Sequence, residues 1–162
     1  MATLISARPQ GVAIGRAIAS GGGIGFFPWA PGTAGSAAAV AVGAAILHLA
    51  GPLALAVAAA AAALGGIWAI RAARAKDDPG WVVIDEVAGQ WITLLGLHHL
   101  SWGGVVVAFA LFRLLDITKP GPIGAADRMN SALGIMLDDV LAGVAGAVLL
   151  WALLLWKPML LG

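Results

Sequence analysis

AGSAAAVAVGAAILHL (Ala34–Leu49) and LALAVAAAAAALGGIWAI (Leu53–Ile70) follow one another with only Ala50-Gly51-Pro52 between them, and neither contains Asp, Glu, Lys or Arg. Each stretch is too long for an ordinary strand and slightly shorter than the roughly 20 residues that cross a hydrocarbon core, so both read as apolar helices extended by their flanks. The Gly-Pro pair stops the first helix before the second begins. The alanine run Ala58–Ala63 adds helix propensity and small side chains that let helices approach closely.

Outward from this pair, Val82–Leu97, Leu100–Leu115 and Val140–Trp156 are largely apolar as well. Asp78-Pro79-Gly80, Ser101 and Lys119-Pro120-Gly121-Pro122 punctuate them with turn signals rather than interdomain linkers. The expected fold is therefore all-α: a polytopic membrane helical bundle of about five transmembrane helices forming one domain over 1–162. Residues 28–162 would make the helical core, and 1–27 an interfacial or re-entrant N-terminal segment, since Gly11–Phe27 mixes Arg16 with apolar residues and ends near Gly21-Gly22-Gly23. Met1–Gly11 lacks the pattern of a cleaved signal, so the spans themselves are expected to direct insertion.

Composition agrees. Hydrophobic residues make up 61% of the 162 residues and charged residues 10%, against roughly 45–50% and about 25% in soluble domains. A chain this short cannot hide so much apolar surface in one core. The absence of cysteine excludes thiolate nucleophiles and Cys-based metal sites. A net charge of +1 makes no case for nucleic acid.

Lys and Arg near span ends are retained on the cytoplasmic side. Five spans alternating from a cytoplasmic N-terminus place Arg8, Arg16, Arg71, Arg74, Lys76, Arg113, Lys119 and Arg128 inside and only Lys157 outside. Asp77, Asp78, Asp85, Glu86, Asp116, Asp127, Asp138 and Asp139 then fall on that same inner side. His48, His98 and His99 fall at the outer turns beside Trp102, as solvated turn residues.

A carboxylate within a transmembrane helix costs about 2.5–3.5 kcal/mol on insertion scales, so several kept near span entrances call for partners or a bound cation. Oxygen ligands from several helix ends suit Mg²⁺. A set of structural ion pairs, such as Arg113 with Asp116 at i, i+3 and Asp127 with Arg128, explains the acids equally well at this point. Arg113, Lys119 and Arg128 share the acids' side and could neutralise a phosphate. The loop Phe27–Ser36 runs into the first span with Thr33 or Ser36 as cap candidates, and free N–H groups there would favour an anion.

These residues resemble the phosphatidylglycerophosphatase A family from about Gly25 to the last span. The resemblance rests on four blocks in order: Pro31-Gly32-Thr33 with Gly35-Ser36; Asp85-Glu86 with Gly89 and Trp91-Ile92-Thr93-Leu94; Phe112-Arg113 with Asp116, Lys119-Pro120, Pro122-Ile123 and Asp127-Arg128; and Gly134-Ile135-Met136 with Asp138-Asp139 and Ala142-Gly143. Asp78 fits an acidic position ahead of Asp85, although Pro79 stands where some members have His. The resemblance implies a bacterial inner-membrane, Mg²⁺-dependent enzyme, multi-pass with its site at the cytoplasmic face. Its substrate would be phosphatidylglycerophosphate, a membrane lipid, cleaved to phosphatidylglycerol and phosphate. On that footing Asp78, Asp85, Glu86, Asp116, Asp138 and Asp139 supply metal ligands, Asp85, Glu86 and Asp139 are the catalytic candidates, and Thr33, Arg113, Lys119 and Arg128 hold the phosphate.

Rival chemistries fit less well. The Asp-Gly-x₂-Ala-Arg pattern of CDP-alcohol phosphotransferases is missing, and the histidines lie on the wrong side for a histidine phosphatase. An aspartyl-phosphate route lacks an Asp-x-Asp stretch. An ion or proton transporter is the alternative of another class, but a pathway needs polar groups through the membrane's depth. Small-residue pairs such as Gly143 with Ala147 serve packing within one chain or between copies in a homo-oligomer.

Overall fold

The computed structural model describes residues 9–75 and 78–156, and every secondary-structure element among them is helical. In chain order these are α1 (Pro9–Ala19), a 3₁₀ turn (Gly21–Phe26), α2 (Pro31–Ala72), α3 (Ile84–Leu94), α4 (Trp102–Thr118), α5 (Pro122–Asp127) and α6 (Ala132–Trp156). Arg8, Lys76, Asp77 and Lys157, used above to orient the chain, lie outside the described residues.

α2 holds both of the opening apolar stretches and breaks between them at Gly51, whose φ of 83° and ψ of 177° leave the helical region. Glycine takes a positive φ without a Cβ clash, and Pro52 cannot donate the hydrogen bond that would continue the helix. The break reverses the chain. A Cβ added at Gly35 would lie 2.8 Å from the Val83 Cβ, and one at Gly66 would lie 3.2 Å from Ile84 Cγ1. A straight helix would separate those two glycines by about 46 Å. The arms 31–50 and 52–72 therefore fold back on each other, with Leu49 and Leu53 strongly exposed at the tip.

Glycine contacts also give the direction of every other long helix. Gly35 meets Val83 and Gly43 meets Trp91 and Leu94, so the first arm and α3 run parallel. α3 and α6 are parallel too, because Gly89 meets Asp139 while Gly96 meets Ala147. α4 is antiparallel to α3: its later residue Phe112 packs on Gly89, whereas Val105 and Ala108 cluster with Leu94. Successive long segments thus alternate in direction. One apolar cluster, with Ala69, Ile70, Val82, Ala88 and Met136, fills the end where α3 begins; another, with Leu55, Leu94, Val105, Leu150 and Leu154, fills the end nearer the tip.

α2 and α6 are long and apolar enough to cross a membrane. Only 28% and 33% of their most apolar stretches are buried, the reverse of a core helix in a soluble protein. Leu64, Trp68, Val148, Trp151 and Leu155 face outward, a surface suited to lipid. The third expected span differs: Val82–Leu97 yields an 11-residue helix of about 16 Å, closed by i→i+3 bonds from Leu95, Gly96 and Leu97. The fifth begins earlier than expected, at Ala132.

Of the N-terminal segment, α1 packs across the end of α2, where a Cβ at Gly15 would strike Ala69, Ala72 and Ala73. Arg16 then sits over the stacked rings of Phe26 and Trp81, 5.1 and 5.2 Å from their centroids, a cation–π contact that ties the 3₁₀ turn to the loop before α3.

Gly143→Val inserts a side chain where a Cβ alone would come within 2.9 Å of the Gly89 Cα. It should lower the unfolding temperature in detergent or abolish folding, the expected result of overpacking by about 1–3 kcal/mol or more. Gly65→Ala, at a helical glycine with open space around it, should be neutral or stabilising by up to about 1 kcal/mol.

Candidate active site

The α3–α6 crossing builds the site. Gly89 and Gly143 bring the two backbones into contact, and the Thr93 hydroxyl, fully buried, lies 3.0 Å from the Gly89 carbonyl and 3.3 Å from that of Gly143 as a donor shared between the helices. One turn back along each helix stands an acidic pair: Asp85-Glu86 on α3, Asp138-Asp139 on α6. The crossing thereby forces four carboxylates to one end of the bundle. Asp85 and Glu86 occupy the first turn of α3, where the helix dipole favours negative charge, and Asp85 Oδ1 accepts from the Glu86 N–H at 3.0 Å.

Two groups form. Carboxylate oxygens of Asp85, Glu86 and Asp139 all lie within 4.8 Å of one another, as do those of Asp78, Asp127 and Asp138. The charge of Asp116 acts on both groups, on Glu86 and Asp139 of the first and on Asp78 of the second.

The second group has a resident cation. Lys119, the left-handed residue that caps α4, donates to Asp127 and, at 2.6 Å, to Asp138. Burial alone would lower the Lys119 pKa, but hydrogen bonds and charge from these two carboxylates outweigh it and hold the amine above the ordinary lysine value. The first group is barer. Arg113 reaches Asp116 at 2.5 Å, Ser36 Oγ at 3.4 Å and Glu86 Oε1 only at 4.0 Å. Glu86 Oε2 and Asp139 Oδ1 are buried with no hydrogen-bond partner, as is Arg113 Nε.

The start of α2 closes this group on a third side. A Cβ at Gly32 would collide with the Glu86 carboxylate and lie 3.4 Å from Arg113 Nη1, so the backbone there is in direct contact with the site. The cap differs from expectation: neither Thr33 nor Ser36 caps α2. Ala30 is the N-cap in a left-handed conformation with no side-chain bond, and Pro31 opens the helix, a position where its missing N–H costs nothing. Thr33 is exposed two residues on, and Ser36 is buried against Arg113.

Most of the expected residues converge: Asp78, Asp85, Glu86, Asp116, Asp138, Asp139, Arg113 and Lys119 all lie at this end. Arg128 is exposed, with its guanidinium beside Gly124, and Asp127 pairs with Lys119 in place of the surface pairing with Arg128. Adjacent residues point apart on a helix, while the turn Pro120-Gly121 brings Lys119 back over α5. Asp127 and Gln90 were not among the expected site residues. Gln90 lies one turn beyond Glu86 on α3, fully buried, with neither amide atom partnered; its i, i+4 spacing from Glu86 was the available signal. His48, His98 and His99 are exposed at the opposite end, and the metal-ligand groupings among the described residues contain only carboxylates.

The family model for phosphatidylglycerophosphatase A matches residues 17–154, most of the chain and all of this site. The chain belongs to the phosphatidylglycerophosphatase A family. Among family relatives, a protein named phosphatidylglycerophosphatase A from Haemophilus influenzae is 37% identical over 143 residues, covering 86% of this chain and 88% of its own. One of the same name from Escherichia coli is 37% identical over 137 residues, covering 83% and 80%. A Bacteroides thetaiotaomicron protein with the provisional name phosphatidylinositol-3-phosphatase is 39% identical over 141 residues, covering 82% and 89%. No solved structure matches the chain.

Lys119→Met would leave Asp127 and Asp138 facing each other without their cation. Unfolding in detergent should show a loss of about 1–3 kcal/mol, the range for breaking charged hydrogen bonds that are partly buried. An unchanged unfolding temperature would mean the two bonds add nothing.

Proposed function

We propose that this phosphatase removes the terminal phosphate of phosphatidylglycerophosphate, giving phosphatidylglycerol and inorganic phosphate, with Mg²⁺ held by the Asp85, Glu86 and Asp139 group. One observation carries the reading: three carboxylates from two helices lie within 4.8 Å of one another, and two of their buried oxygens have no partner. Two such charges repel by about 3–4 kcal/mol at an effective dielectric of about 20, and the nearest guanidinium is already committed to Asp116. A small divalent cation fits that donor set, since Mg²⁺ takes carboxylate oxygens together with phosphate and water. Bound there, it would polarise a phosphoryl oxygen and lower the pKa of a coordinated water.

The chain's own residues supply the rest. Arg113, drawn toward Ser36 and the start of α2, is placed to hold phosphate oxygens beside Gly32 and Thr33, whose helix start favours an anion. Lys119 and Arg128 add positive charge at the rim, and Asp78, Asp116 and Asp138 surround the bare group. A carboxylate oxygen of Glu86 or Asp139 that the cation leaves free would take the proton of the attacking water. As the water oxygen bonds to phosphorus the bond to the glycerol oxygen breaks, and that oxygen takes up the proton held by the carboxylate, leaving as the hydroxyl of phosphatidylglycerol. Phosphomonoester hydrolysis is among the slowest uncatalysed reactions, so both charge neutralisation and proton removal are needed.

The alternating helix directions support five membrane crossings. The arms 31–50 and 52–72 with α4 and α6 would carry the lipid-facing surface, and short α3 would pass in their shelter. Arg16, Arg71, Arg74, Arg113, Lys119 and Arg128 gather at the carboxylate end, which favours a cytoplasmic site in a bacterial inner membrane. The confinement of the acids to one end disfavours an ion pathway.

The test is phosphate release by detergent-purified protein from phosphatidylglycerophosphate, phosphatidylinositol 3-phosphate, phosphatidic acid and a water-soluble monoester, with Mg²⁺ and with EDTA. Release should require Mg²⁺ and be fastest with the first lipid; preference for the inositol lipid would shift the assignment to the activity in the Bacteroides relative's name. Glu86→Gln and Asp139→Asn should each cut turnover by about 10²-fold or more without changing membrane insertion, and near-normal rates in either would remove that residue from the chemistry.

A further inference from the structure

A groove of about 580 Å³ lies between the first arm of α2 and the start of α4, lined by Ala37, Val40, Ala41, Ala44, His48 and Val105 together with the loop leading to Trp102. Its volume is in the range of small-molecule sites. Ala37, Ala41, Ala44 and His48 recur at i, i+4, i+7 and i+11, one face of a helix; the three alanines hollow the arm, and the lining from Ala37 to His48 runs along about 17 Å. That length is close to one leaflet of a core roughly 30 Å thick.

The lining of the groove begins on α2 at the residue after Ser36 of the candidate site. Ala37 follows Ser36, which accepts from Arg113, and stands one turn beyond Thr33. On α4, Val105 lies two turns from Arg113 on the same helix. We propose that this groove takes one acyl chain of the lipid substrate, a reading that rests on the phosphatase function above. With the phosphate beside Arg113 and Gly32, the first methylenes run along the arm near Ser36 and Ala37. The distal half of a long chain fills the space between Ala41, Ala44 and Val105. A chain of about six carbons ends near Ala37 and leaves that space unfilled. The groove thus selects for chain length without touching the reacting atoms.

The test compares a dihexanoyl with a dipalmitoyl phosphatidylglycerophosphate in mixed micelles. Ala41→Phe fills the groove at an exposed position outside the catalytic machinery; Leu64→Phe, on the outward face of the second arm, is the control. Ala41→Phe should raise KM for the dipalmitoyl lipid roughly ten-fold, equivalent to the contacts of about two methylenes, with the dihexanoyl rate and the control unchanged. Ala41→Leu gives a smaller rise in the same direction and serves if the phenylalanine variant does not fold. Equal effects on both lipids, or none, would overturn the assignment. So would a wild-type oligomer that Ala41→Phe dissociates, which would make the groove an interface between copies. Wild-type protein inactive on both lipids would instead remove the phosphatase reading, and the groove assignment with it.

Discussion

The backbone contact between Gly89 and Gly143 is the constraint on which the site depends. Neither residue has a side chain to hold the helices apart, and the Thr93 hydroxyl bridges the two carbonyls at the crossing. Because α3 and α6 run parallel there, each presents its acidic pair on the same side of the contact. A larger residue at either glycine would separate Glu86 from Asp139 before it disturbed any charged group directly.

That convergence creates an electrostatic problem with two different solutions. Asp127 and Asp138 share Lys119, so their group is closed by a cation of the protein itself. Asp85, Glu86 and Asp139 have no equivalent, for Arg113 is closer to Asp116 and leaves two carboxylate oxygens bare. A low dielectric makes unpaired charge costly. The closed group therefore reads as scaffold and the bare group as the place where an external cation and a phosphate would meet. Arg113 joins the two functions, because its guanidinium touches the acids on one side and the start of α2 on the other.

Much of this was legible from residue pattern alone. Apolar stretches of near-span length, broken by Gly51-Pro52 and Lys119-Pro120, predict helices because a helix satisfies its backbone within one segment and the stretches are too long for membrane strands, and alternating directions bring Asp78, Asp85, Glu86, Asp116, Asp138 and Asp139 to one end. The failures came from features that apolar periodicity does not register. α3 stops at Leu94 although the apolar pattern continues to Leu97, since periodicity does not register a final tightened turn. Ala30 caps α2 in place of Thr33 because Pro31 sets the first helical residue. The Lys119 to Asp127 pairing depends on how the Pro-Gly-Pro turn returns the chain, which spacing does not encode; the i, i+4 spacing puts Gln90 on the face of Glu86, but its burial depends on which helices surround it.

The most direct measurement is an electron paramagnetic resonance titration of the purified protein with Mn²⁺ standing in for Mg²⁺. A bundle whose Asp85, Glu86 and Asp139 form a cation site should bind Mn²⁺ in a saturable population that Mg²⁺ displaces and that Asp139→Asn abolishes while unfolding as the wild type does. Folded protein that retains no Mn²⁺ in excess metal, or that binds it equally well with Asp139→Asn, would contradict the account.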